Sequence, residues 1–134
     1  MLLIVMAGLV FAGCAPESGE HALAMAHLED MPDEVQQAMV PVRQAYQIAG
    51  GNPEVFHQIP CYCGCVTQGH TSNYDCYVAS ATGEIQYDLH ALACEVCVDI
   101  THDVKRLLKE GQALPEIRAY VDATYAQYGP STGP

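Results

Sequence analysis

Apolar positions recur at helical spacing in several stretches of the chain. Val35, Met39, Val42 and Tyr46 form the first, behind Met31-Pro32-Asp33-Glu34, where proline and acids suit a first helical turn. Pro41 lacks a backbone donor and predicts a break or kink within it. Gly50-Gly51 ends the segment, and Asn52-Pro53-Glu54 restarts a short helix. The clearest pattern begins near Asp88 or His90 and runs to about Lys109, closing with Lys105, Arg106, Lys109 and Gly111. Leu114-Pro115-Glu116 opens a last helix whose face is Ile117, Tyr120, Val121, Tyr125 and Tyr128, ended by Gly129-Pro130. Between these patterns lies a stretch without one. Ile59 to Cys65 contains Pro60 and Gly64 and cannot be regular helix, and Gly69 to Ser72 reads as a turn. Ser72 with Asp75 resembles a shortened capping box before a short helix through Cys76 and Tyr77. Gly83 to Asp88 alternates weakly, as a brief extended piece does. The pattern predicts an all-α fold: a small helical bundle with a Cys-rich irregular loop packed against the main helix.

The N-terminus has a different character. Met1 to Gly13 is apolar throughout and too short to span a bilayer. Its end, Leu9-Val10-Phe11-Ala12-Gly13-Cys14, resembles the lipobox of bacterial lipoproteins. That resemblance implies cleavage before Cys14 and a lipid on Cys14. The predicted organisation is a signal peptide over 1–13, a lipid-anchored cysteine and flexible tether over 14–30, and a Cys/His-rich helical domain over 31–129. Extended, residues 15 to 31 would reach about 50 Å. His21 and His27 fall here and read as solvated.

At 134 residues the chain suits one domain. Its formal net charge of −11, from 5 Lys and Arg against 16 Asp and Glu, disfavours nucleic acid and anionic lipid surfaces as partners while leaving cations welcome. With the leader removed, about 100 residues remain, a core size that often needs metal or disulfide support.

The chemistry concentrates in six cysteines, Cys61, Cys63, Cys65, Cys76, Cys94 and Cys97. Cys61, Cys63 and Cys65 form C-x-C-x-C, a spacing that closes relaxed disulfides poorly but lets a glycine-containing turn converge three sulfurs on one point. His90, Cys94 and Cys97 stand at i, i+4 and i+7, which on a helix is one stripe, continued by Thr101, Val104 and Leu108. His70 and Cys76 lie between the two halves and can close a site from a third direction. The candidate metal ligands are therefore Cys61, Cys63, Cys65, His70, Cys76, His90, Cys94 and Cys97. His57 is ambiguous, and His102 reads as a solvated face residue.

The run Pro60-Cys61-Tyr62-Cys63-Gly64-Cys65 resembles the signature of the PCYCGC motif-containing lipoproteins. The likeness extends to Gly69-His70, Asp75-Cys76-Tyr77, His90-Ala91, Cys94-x-x-Cys97 and Ile117-Arg118 through Tyr125, covering most of residues 55 to 128. It implies export and a lipid anchor at Cys14, hence an extracytoplasmic, membrane-attached protein. It implies little chemistry, since the function of that family is largely unknown.

Exported thiols are usually oxidised unless paired or metal-bound. Thiolate-rich sites select Cu(I), Zn(II) or iron–sulfur clusters. Crowded cysteines facing a C-x-x-C suit a multinuclear Cu(I) site for copper capture, storage or delivery better than a lone zinc. Two alternatives stay open: a zinc- or disulfide-stapled interaction domain, and a thiol–disulfide redox protein using Cys94 and Cys97. Against the latter, the pattern places the pair a turn or more inside its helix, whereas reactive pairs open one. No catalytic base is evident.

Overall fold

The computed structural model describes residues 22–133. The expected signal peptide over 1–13, Cys14 and His21 lie outside the described residues. Among the described residues there are five α-helices: α1 (Asp33–Gln36), α2 (Val40–Gly51), α3 (Pro53–Phe56), α4 (Glu95–Lys109) and α5 (Leu114–Tyr125). A two-stranded antiparallel ribbon joins β1 (Val78–Ser80) to β2 (Gln86–Tyr87). The architecture is mostly helical, and the ribbon corrects the purely helical expectation. Three-residue β1 gives no periodic signal of its own; only its β2 partner showed as extended.

The long helix α4 is the centre. It buries Cys97, Ile100, Thr101, Val104 and Leu108, and packs against α2 on one side and α5 on the other. From α2 come Ala45, Tyr46, Ile48 and Ala49; from α5 come Ile117, Val121 and Tyr125. Truncating a fully buried residue here, such as Ile100→Ala, would cost about 2–5 kcal/mol. Pro41 falls in the first turn of α2, so it separates α1 from α2 as the sequence implied. Among the described residues no helix is long and apolar enough to cross a membrane.

Four local expectations are corrected. The pattern placed a helix from Asp88 or His90, but His90–Ala93 is a 3-10 turn, Cys94 is extended (φ −122°, ψ 95°), and α4 starts only at Glu95. The N-cap expected at Asn52 also changes. Asn52 does not cap α3 with its side chain; its amide instead donates to Ala24 O (2.8 Å) and Ile48 O (2.6 Å), and its Oδ1 accepts from Ala24 N (2.9 Å). With Ala26 N donating to Gln47 O (2.9 Å), residues 24–26 are fastened along α2. Tyr128 lies beyond the end of α5 and is exposed. His102, read as solvated, holds Pro41 O at 2.9 Å through Nε2, which ties α4 to the start of α2.

Candidate metal centre

Three segments bring the sulfurs together. The first is the irregular run through Cys61, Cys63 and Cys65. Gly64 has φ 82°, a left-handed conformation that turns the chain so that Cys65 points back inward. The C-terminal tail clasps this run. Thr132 Oγ1 accepts from Cys61 N (2.8 Å), and Thr132 N donates to Cys61 O (3.0 Å). Gly129 lies so close that a Cβ there would sit 2.8 Å from Tyr62 O, and the Tyr62 hydroxyl donates to Asp122 (2.6 Å).

The second segment is the 3-10 turn Tyr74–Cys76. The shortened box is half present: Asp75 Oδ2 accepts from Thr71 N (2.6 Å) and Ser72 N (3.0 Å), while Ser72 Oγ is buried without a partner. The third is His90 to Cys97. The stripe geometry fails, because only Cys97 is helical, but the extended Cys94 and the preceding 3-10 turn carry His90 to the same place. Beneath Cys97 a buried polar brace fixes the backbone. Tyr77 OH and Asn73 Nδ2 donate to Cys97 O (2.8 and 3.3 Å), and Thr101 donates to Asn73 Oδ1 (2.9 Å).

The sulfurs form a continuous cluster. Cys61 Sγ is 3.5 Å from Cys63 and 3.4 Å from Cys97; Cys97 is 3.6 Å from Cys63 and 3.2 Å from Cys94. Cys65 lies 3.7 Å from Cys76, and His90 Nε2 is 3.3 Å from Cys63 Sγ. All six cysteines among the described residues are free thiols. A disulfide needs about 2.05 Å. A tetrahedral ion with bonds of about 2.3 Å to sulfur needs sulfur–sulfur edges of about 3.8 Å, close to what is observed.

Donor atoms within 4.8 Å of one another define three groups: Cys61, Cys63, Cys76 and Cys97; Cys63, His90, Cys94 and Cys97; and Cys65, His70 and Cys76. All eight candidate ligands fall in these groups. Cys63 and Cys97 belong to two of them, and so does Cys76. Such groups can hold metal ions. His57 is not among them; it is exposed, with its ring tilted against that of Tyr74 at 4.3 Å between centroids.

Sequence reasoning missed Asp88. Its Oδ1 accepts from His90 N (2.7 Å), and its Oδ2 lies 3.5 Å from His70 Nε2. A proton on that nitrogen leaves His70 Nδ1 with a free lone pair, and Nδ1 is buried without a partner. Carboxylate-oriented imidazoles of this kind are typical metal donors. The signal was faint: an acid two residues before His90.

The thiols divide into two kinds. The side-chain hydrogen bond with Cys63, then those with Cys76 and Cys97, lower Cys61 to about 4 against an opposing contribution from Cys65. Cys65 falls to about 3, chiefly through Cys61. Cys63 is also lowered: its bond with Cys61 acts upward, but Cys65, Cys76 and Cys94 outweigh it. Their neighbours go the other way. Cys76 and Cys97 are raised, each first through Cys61, and Cys94 is pushed up to about 11 by Cys63. For His90, burial acts downward, but the bond to Cys63 and the nearby negative charge raise it overall.

A family model described as a protein of unknown function with a PCYCGC motif matches residues 3–134. No curated protein and no solved structure matches the chain.

Proposed function

The chain belongs to the PCYCGC-motif family of unknown function, and for it we propose the capture, storage or delivery of Cu(I) at a multinuclear thiolate centre on the outer side of a membrane. One observation carries the reading: three of the six sulfurs are each shared between two donor groups. A lone structural zinc uses four ligands and would leave several thiols idle. Cu(I) accepts two or three thiolates and tolerates bridging sulfurs, so a few ions can use the whole set. The proposed holders are Cys61, Cys63, Cys65, Cys76, Cys94 and Cys97, with His70 and His90 at the two ends. An anchor at Cys14, supported by the lipobox resemblance, places the centre where free thiols oxidise and bound ones are protected. The role is one of binding and needs no catalytic residue.

Elemental analysis of the full chain purified from its own envelope, with a thiol count before and after chelation, tests this. About two or more coppers per chain support it. A single zinc would make the centre a structural staple and overturn it, as would a metal-free protein with a reversible dithiol.

A further inference from the structure

Cys94 and Cys97 differ from the other sulfurs in their surroundings. Their 3.2 Å separation is the shortest among the sulfur contacts above. Cys94 is half-buried, and with Cys63 it lines an open cavity of about 860 Å³ walled by Met39, Leu92, Val96 and Tyr128. Cys97 sits behind it, fully buried. One sulfur can therefore be reached from solvent while its neighbour waits within bonding range after a small movement. The pair also opens α4, with Cys94 extended before its first turn and Cys97 inside it, the placement found in C-x-x-C exchange pairs. This reverses the positional argument against redox chemistry made from sequence. Cys63 also stands 3.6 Å from Cys97 and Cys61 3.4 Å from it, but neither pair has the C-x-x-C spacing that opens a helix. Cys61 and Cys63 are only two apart, which strains a disulfide, and Cys65 and Cys76 are both buried.

We propose that Cys94-x-x-Cys97 is a thiol–disulfide exchange site through which an incoming low-molecular-weight disulfide discharges part of the metal load. The proposal rests on the metal-binding reading above. In the loaded centre both sulfurs are thiolates, since ligands lose their protons on binding. Cys94 Sγ attacks one sulfur of the incoming disulfide; that bond breaks and the first thiolate leaves. Cys97 Sγ then attacks Cys94 Sγ, closing the Cys94–Cys97 bond and releasing the second thiolate. The protein pair loses two electrons and the incoming disulfide gains them. The two departing thiolates carry away the negative charge that had held the ion.

The donor groups set how much metal leaves. The group containing His90 loses two of its four donors, and the group containing Cys61 loses one of four. The group of Cys65, His70 and Cys76 loses none. Oxidation therefore empties the cavity side and spares the buried side.

The test loads the full chain anaerobically with Cu(I), measures copper per chain, treats it with oxidised glutathione, and removes small molecules by gel filtration. Peptide mapping then locates disulfides, and copper is measured again. The expected result is a single disulfide joining Cys94 to Cys97, partial but not complete loss of copper, and reloading after dithiothreitol. A first disulfide at any other pair overturns the proposal, and so does a Cys94–Cys97 disulfide with all copper retained. If no copper loads, the metal-binding reading has failed instead. The metal-free chain, mapped in parallel, then decides the exchange pair alone: Cys94–Cys97 must form before any other disulfide.

Discussion

The two ends of α4 each carry a polar cluster, and the clusters are satisfied in opposite ways. At the C-terminal end Asp103 accepts from Tyr125 (2.8 Å) and Tyr120 (3.2 Å) and pairs with Arg106 (2.9 Å). Arg106 also reaches Glu110 (3.2 Å) and lies over the Tyr120 ring at 5.6 Å. Burial acts to raise the Asp103 carboxyl, but Arg106, Tyr125 and Tyr120 outweigh it and hold it below its ordinary range. Donors and acceptors there match within the chain. At the N-terminal end six sulfurs face one another, and thiols are weak hydrogen-bonding groups. One end closes on itself; the other presents concentrated donors of one kind, which a cation completes on the proposed reading.

The largest effect should follow metal removal. Structural metal in small domains contributes on the order of 10 kcal/mol. Chelation should lower the melting temperature by about 10 °C or more, with residues 60–76 losing hydrogen-exchange protection before α5. Coincident melts with and without metal would erase the contrast between the ends. Acid comes next. Thiol ligands lose their protons on binding, so affinity falls as pH falls, by about tenfold per pH unit for each proton displaced. Competition titrations at two pH values read this directly, and a pH-independent affinity would contradict it.

Substitution should grade the sulfurs. Cys97→Ser removes a donor from two groups and Cys65→Ser from one, so copper per chain should fall further in the first. Equal losses would show that sharing is not used. Cys63→Ser should lower metal content as well. The smallest effect belongs to the other end. Asp103→Asn should cost about 1 kcal/mol in denaturant unfolding and leave metal content unchanged. Because the folded carboxyl is depressed, its stabilising contribution is present above about pH 4 and is lost as pH falls through the folded value.

How much was legible follows from which physics each region uses. Burial patterns report helices, so α2, the body of α4 and α5 could be read from periodic apolar residues. The segment His90-Ala91-Leu92-Ala93 has good helix formers, and propensity alone extends α4 through it. There the tertiary packing of the sulfur cluster overrides propensity and pulls Cys94 into an extended conformation. The eight donor residues could be named from spacing, and the structure brings them together. The stripe offered as the reason was wrong for His90 and Cys94. The roles of Asp88, Asn52 and Thr132 could not be seen, because each acts through a contact remote in sequence or through a backbone atom that leaves no pattern.

The clasp on Cys61 comes from a residue 71 positions further along the chain. The chain through Thr132 must therefore exist before this contact can hold Cys61 in place. During synthesis the helices of the N-terminal half can form while the thiols stay unassembled. A chain interrupted before Thr132 would carry all six of these sulfurs yet lack the clasp on Cys61.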